Sequence, residues 1–453
     1  MQDGSLFVPL FATVAMRDVF SDLARVQAML DFEAALARAQ AACGVIPATA
    51  VAAITRACDA RRYPLAELAE ATALAGNAAI PLVKALRNLV DDEDADAARY
   101  VHWGATSQDC IDSGAVCQLL RALALLVADV ERLGDTLRTL ALAHADTLMP
   151  GRTLLQQAAP ISFGLKVAGW LDALTRSFAR LQRAGSAAAV IQYGGATGTL
   201  AAAGPQALEV AAVLARELNC SAPALPWHSH RDRLVEAGAA VALLTGTLGK
   251  LARDVSLLAQ TEVGEVTEPS APGRGGSSAL PHKQNPVGCA VALAAAVQTP
   301  GLLATLLAAM PQEHERGLGG WHAEWETLPR LCLLASGALA QLCAVVQGLH
   351  VYPARMLENL ARDGGQIHAP ALAQALAVHW GAREAHARVA QWCRQAQRDS
   401  TPLATLVARD AGVTALLDPA TLAAVFDARG QLGHSRQFIE RACVAWQHRD
   451  VLP

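Results

Sequence analysis

Apolar residues recur at helical spacing along almost the whole of this chain, and Val, Ile and Thr never gather into alternating runs. The pattern predicts helices and disfavours sheet. The N-terminal third reads as short helices. One begins at Ser21, a good N-cap, carries Val26, Met29, Leu30 and Leu36 on its apolar side, and stops at Gly44 ahead of Pro47. After His102–Asp109 the texture changes to long stretches, at about 112–148, 160–190, 231–262, 286–312 and 320–348. At ~1.5 Å per residue the first would be roughly 50 Å long. Helices of this length that are apolar on more than one face cannot all be covered within one subunit. They therefore predict oligomerisation through the helices themselves. Beyond His350, the prolines Pro353, Pro370, Pro402 and Pro419 separate short helices to the end. The expected layout is all-α: an N-terminal helical domain at 1–110, a long five-helix bundle at 111–348 and a C-terminal helical domain at 349–453.

Composition agrees with this layout and removes some partners. The 453 residues are many for one core, and aromatics are only 4%. The net charge is −4 with no Lys/Arg block, so neither a nucleic acid nor an anionic membrane is an expected partner. Val287 to Met310 carries no charge and has the length of a bilayer span. Ala and Gly fill much of it, Pro300 interrupts it and no Lys/Arg stands at its far end, which favours a buried helix. The acidic run Asp91 to Asp96 reads as a solvated loop. Ten scattered cysteines without a C-x-x-C pair read as reduced thiols. The opening MQDGSLFVPLF lacks a basic region followed by an apolar core, so the expectation is cytoplasmic.

The chemistry concentrates in Glu268–Pro286, EPSAPGRGGSSALPHKQNP, a loop rich in Gly, Pro and Ser between two long helices. Loops of this length inside a compact fold are usually functional or disordered, and this one reads as a mobile lid carrying polar groups. Ser277 offers a hydroxyl; Lys283 and Asn285 offer a cation and an amide to a carboxylate. Two other segments are polar at helix entrances: His102-Trp103-Gly104-Ala105-Thr106-Ser107-Gln108-Asp109 and Gly151-Arg152-Thr153 with Gln156. Hydroxyls and N–H groups at a helix N-terminus suit a carboxylate. GSSALPHKQNP resembles the signature loop of the fumarase/aspartase superfamily, G-S-S-x-M-P-x-K-x-N-P, with Leu280 in place of Met. The other two segments are similar to that family's H-x-G-x-T-S-x-D and G-R-T-x-x-Q.

The resemblance implies a homotetramer whose sites are each assembled from three subunits, and elimination or addition next to a carboxylate. It implies Ser277 as the group that moves the proton, with Lys283 and His102 also catalytic. Thr106, Ser107, Arg152, Thr153, Gln156, Ser278 and Asn285 would bind substrate. A serine hydroxyl is a poor base unless loop N–H groups and a cation stabilise its alkoxide. No phosphate-cradling glycine motif appears, and the other histidines show no ligand spacing with each other or with Cys, so neither cofactor nor metal is expected.

Two departures bear on the reaction. Lyases of the family carry a His after G-R-T and a Glu shortly after N-P that orients it; here these positions are Leu154 and Ala290. That pair serves the leaving group. An amine or hydroxide needs such help, whereas a carboxylate, with a pKa near 4, does not. The loss fits a ring closure in which a substrate carboxylate adds to a double bond. Met16–Gln40, Ala75–Leu86 and Pro311–Pro329 also look like the family's cycloisomerase branch, and a tricarboxylate substrate would need a further cation, for which Arg316 is the first candidate. Competing readings are a lyase similar to adenylosuccinate lyase, against which Leu154 and Ala290 argue, and a non-enzymatic structural member, against which the intact loop argues.

Overall fold

The computed structural model describes residues 6–451, so the first residues of the segment considered for secretion lie outside the described ones. Helix α1, Asp22–Ala42, starts as its sequence predicts: the Ser21 hydroxyl accepts the Ala24 N–H at 3.2 Å. Five long helices follow: α2, Ser107–Ala143; α3, Phe163–Ala188; α4, Asp232–Leu258; α5, Val287–Ala308; and α6, Gly320–Gln347. The expected α2 starts too late and ends too late. Leu148–Thr153 (β1) and Gln156–Ser162 (β2) form an antiparallel hairpin that takes the chain before α3, where only a helix approach was expected. Its register pairs Thr153 with Gln156, leaving Leu154 and Leu155 as a two-residue turn with φ of 51° and 65°. Such turns normally carry Asn-Gly, since left-handed backbone costs an ordinary L-residue about 1–2 kcal/mol. A second pair of short strands joins β3, Val266–Thr267, to β4, His350–Val351.

The chain divides into two compact units, and the division falls inside each of the five long helices. The first unit takes residues up to Val130, Ser177–Gly249 and Val291–Gln341. Its core packs Leu30, Phe32 and Leu36 of α1 with Ile54, Leu82, Leu86, Val210 and Leu214. Burying each such side chain stabilises by about 1.5–3 kcal/mol. The second unit takes Glu131–Arg176, Lys250–Ala290 and the rest from Leu342. Its main cluster gathers Leu372, Leu376, Val389, Trp392, Leu403 and Val407.

Prolines inside α5 and α6 do not end them. Pro300 lies within α5, so it does not interrupt that stretch as its sequence suggests. Pro329 in α6 leaves the Trp325 carbonyl, four residues back, without its helical donor. Arg25 supplies a replacement, Nη2 donating to Trp325 O at 3.2 Å. By length and composition, α2, α4, α5 and α6 are each long and apolar enough to cross a membrane. Of these α5 is the least covered by its own chain, with Val297 78% and Leu307 52% exposed.

Candidate active site

The residues singled out in the sequence fall into two groups, one in each unit. In the first unit the group is built around the start of α2. Asp109, fully buried in the first turn, reaches back to the Thr106 N–H at 3.1 Å, as the third helical residue of a capping box does. The same carboxylate accepts the N–H groups of Gly194 at 3.0 Å and Gly195 at 2.9 Å, and its Oδ1 meets His228 Nε2 at 2.8 Å. Asp109 thereby fixes the helix entrance, and His228 is a satisfied core residue.

The Thr106 hydroxyl has another partner: Arg316 Nη2 donates to it at 3.0 Å and to Ala196 O at 3.1 Å. Two residues 210 positions apart in sequence are thus brought into contact. His102 stands just upstream, in left-handed backbone with φ of 61°. Gly104, φ 69°, completes the turn, and a Cβ there would lie 2.8 Å from the Ala203 backbone. Backbone held this way is a mark of functional turns. His102 Nδ1 lies 2.6 Å from the buried Glu33 carboxylate. Burial opposes charge on the imidazole, but the Glu33 carboxylate outweighs it and raises the histidine above its usual value.

A prediction follows from the sign of that shift. A raised folded pKa gives stability that is present in full below about pH 6.5 and is lost as pH rises through the folded value. Glu33→Gln is expected to lower stability by about 2 kcal/mol near pH 6, by loss of a charge-assisted hydrogen bond, and by clearly less near pH 9. Denaturant unfolding at both pH values checks this; equal losses at both would remove the ion pair from the account.

Deeper in this unit is a buried ionic cluster that the sequence pattern gives no means of finding. The Arg231 guanidinium, 1% exposed, binds Asp112 through Nη1 at 2.7 Å and Nη2 at 3.0 Å. It binds Glu324 through Nη2 at 2.6 Å and Nε at 3.0 Å. Trp321 Nε1 donates to Asp112 Oδ1 at 2.9 Å, and Trp227 packs its ring against the guanidinium. Trp321 is therefore buried and bonded within the cluster. A cavity of about 130 Å³ opens beside the cluster, with Met29, Ile111, Leu234 and Trp325 among its walls.

In the second unit the hairpin and the long loop carry the remaining residues. Arg152 pairs both terminal nitrogens with the buried Glu265, at 2.9 and 2.6 Å, and Asn359 Nδ2 donates to the same carboxylate at 2.8 Å. Thr153 and Gln156 flank the exposed turn, where Leu154 is 96% exposed. In the loop, Asn285 N and Nδ2 both donate to Gly275 O, at 2.8 and 3.1 Å, closing a neck below residues 276–284. Gly275 has φ of 70°, and a Cβ on it would lie 2.7 Å from Asn285 O. Above the neck, Ser277 Oγ accepts the N–H groups of Ala279 at 3.3 Å and Leu280 at 3.1 Å. Two donors converging on one hydroxyl oxygen are what an alkoxide needs. Ser278 and Lys283 are exposed, and Ser277 is half-buried. Sequence reasoning overlooked Glu33, Asp112 and Glu324; their only local signal is an acidic residue inside an apolar helical run.

An all-α fold of long helices, with a serine-bearing loop and a polar entrance to α2, defines a class. The family model described as lyase matches residues 11–301, and the chain belongs to that family, with the fumarase/aspartase fold. Within it, the chain is 54% identical over 439 residues to the 3-carboxy-cis,cis-muconate cycloisomerase of Pseudomonas aeruginosa, covering 97% of this chain and 96% of that protein. The crystal structure of the 3-carboxy-cis,cis-muconate lactonizing enzyme from Pseudomonas putida superposes with a TM-score of 0.94 at 50% identity, covering 98% of this chain and 100% of that one. Nitrosuccinate lyase of Streptomyces davaonensis is 40% identical over 449 residues, covering 97% of this chain and 94% of that protein.

Proposed function

We propose that the chain is a cytoplasmic, homotetrameric cycloisomerase that closes 3-carboxy-cis,cis-muconate to its lactone. The observation that carries this reading is near-complete coverage at 54% identity by a relative of that name. Leu154 and Ala290 support it, because they stand where a lyase keeps the pair that serves a basic leaving group. In the forward step a substrate carboxylate oxygen forms a C–O bond to one alkene carbon. The π electrons move onto the neighbouring carbon and into its carboxylate as an aci-form, and that carbon then takes the proton of Ser277. No atom is lost. The N–H groups of Ala279 and Leu280 hold the negative charge left on Ser277 Oγ.

Three carboxylates call for several cations. Lys283 faces the one that takes up charge, while Arg316 and His102, whose charged form Glu33 favours, serve the others. Thr106, Ser107, Ser278, Thr153 and Gln156 add polar contacts. Arg152 and Asn285 act at the same surfaces, from side chains already fixed by Glu265 and Gly275. Each site is shared between three subunits of the tetramer. Bundle residues 111–348 form the tetramer core, with 1–110 and 349–453 as flanking helical domains.

Offering the purified protein 3-carboxymuconate, adenylosuccinate and fumarate, with ultraviolet absorbance followed, tests the activity. Turnover of the first alone, to a product of unchanged mass, is expected; cleavage of either of the others, or no turnover at all, would overturn the reading. The exposed apolar surface of α5 supports assembly rather than a membrane span. Light scattering in detergent-free buffer is expected to give a tetramer, and a fully active monomer would refute that part.

A further inference from the structure

The long loop has a second anchor beneath its neck, and it is a charged one. Glu268, in the chain entering the loop, is nearly buried and reaches across to the helix that leaves it. Its Oε2 accepts the Gly288 N–H at 3.0 Å and its Oε1 accepts the Cys289 N–H at 2.8 Å. These are first-turn donors of α5, a helix with no acidic residue of its own in that turn. A carboxylate here caps orphan N–H groups and complements the helix dipole from 20 residues away in sequence.

The surroundings are built to admit that carboxylate. A Cβ on Gly288 would lie 3.1 Å from Glu268 Oε2, 2.7 Å from Arg274 Nη2 and 2.5 Å from Val345 Cγ2, so only glycine permits the approach. Arg274 Nη2 stands 3.5 Å from the same oxygen. The incoming side is itself tethered, since β3 ends at Thr267 and pairs with β4. Burial and the Glu268 carboxylate both push the Cys289 thiol up, which keeps it protonated beside the carboxylate. Both feet of the loop are therefore fixed, by Glu268 below and by Asn285 on Gly275 above, while residues 276–284 carry the exposed groups.

We propose that Glu268 is a positioning residue for Ser277: it clamps the two feet of the loop so that the serine hydroxyl is presented in one place. The proposal rests on the reading of Ser277 as the proton carrier. Glu268 makes no contact with the reacting groups, so its loss should act on how often the loop is correctly placed. Glu268→Gln keeps the shape of the side chain but turns an N–H donor toward one of the two helical N–H groups.

The test measures kcat and KM for 3-carboxymuconate, together with amide hydrogen exchange, on the wild-type tetramer and on Glu268→Gln and Glu268→Ala. The expected result is a 10- to 100-fold lower kcat in both variants, as ~1 Å misplacement can cause, with KM within about threefold. Faster exchange should be confined to residues 273–290. Unchanged kcat in Glu268→Gln, or a loss of activity matched by faster exchange throughout α5, would overturn the proposal. If the wild-type protein proves inactive on this substrate, the functional reading fails by itself. The exchange comparison then still decides whether Glu268 clamps the loop: equal exchange rates in wild type and variants would refute it.

Discussion

Ser277→Ala is expected to lower kcat about a thousandfold, within the range that a positioned proton-transfer group contributes, while KM stays within a few-fold. On the proposed reading the serine acts on a proton in flight, so its absence is felt in the transition state and little in the bound ground state. The geometry sharpens the expectation. Ser277 Oγ is held by two loop N–H groups, from Ala279 and Leu280, and these remain in the variant with nothing to stabilise. Ser277 is only half-buried and lies above a neck closed independently by Asn285 and Gly275, so the fold should be unchanged. Ser278→Ala is the control: its exposed hydroxyl is assigned only to binding, so its effect should fall mainly on KM. Steady-state absorbance assays with circular dichroism on both variants check this. A Ser277→Ala enzyme within tenfold of wild-type kcat would require another proton donor, and the loop would lose its assigned role.

How far the sequence carries can be followed residue by residue. The long helices were legible because apolar spacing over more than twenty residues admits few alternatives, and α3 to α6 end within about four residues of where the pattern ends them. The hairpin was not. LMPGRT and QQAAPIS lack alternating β-branched residues, and the turn between them is Leu-Leu where Asn-Gly would signal it. Pro300 misled for a related reason: a proline's missing hydrogen bond ends a helix only if the freed carbonyl finds no other donor, and at Pro329, inside a stretch the pattern carries through, that donor is Arg25, about 300 residues away. The loop, the entrance to α2 and the Gly151–Gln156 segment were readable as chemistry because their residue types stand together in sequence. Glu33, Asp112, Glu324 and Glu268 were not, since each gains its meaning from a partner on another element. The contact between Thr106 and Arg316 lies between these cases: both residues were singled out, but only the fold puts one against the other.

Arg231→Met should have the largest effect on stability, a loss of about 3–5 kcal/mol, as expected when one member of a buried ion cluster is removed and its partners stay behind. Arg231 carries one positive charge between two carboxylates, Asp112 and Glu324, and all three are almost fully buried. The two acids do not suffer equally. Asp112 keeps donors from Trp321 at 2.9 Å and Gln108 at 3.0 Å. Glu324 keeps the more distant Gln312 amide, at 3.3 Å. Burial already raises Glu324 above its usual value, against the lowering by Arg231, and removing the arginine leaves the burial unopposed. Glu324 is therefore the group that takes up a proton. An acid whose folded pKa lies above its unfolded value binds more protons when folded, so the penalty is absent below the unfolded value of about 4.3 and grows as pH rises toward the folded one. The loss in Arg231→Met should accordingly be smaller near pH 5 than near pH 8. Adding Glu324→Gln to Arg231→Met should recover part of it at pH 8, because an amide fills the same space without the charge. Denaturant unfolding of the three proteins at both pH values measures this. A loss below about 1 kcal/mol that does not vary with pH would mean that the cluster is solvated, and that α2 and α6 are held by apolar packing alone.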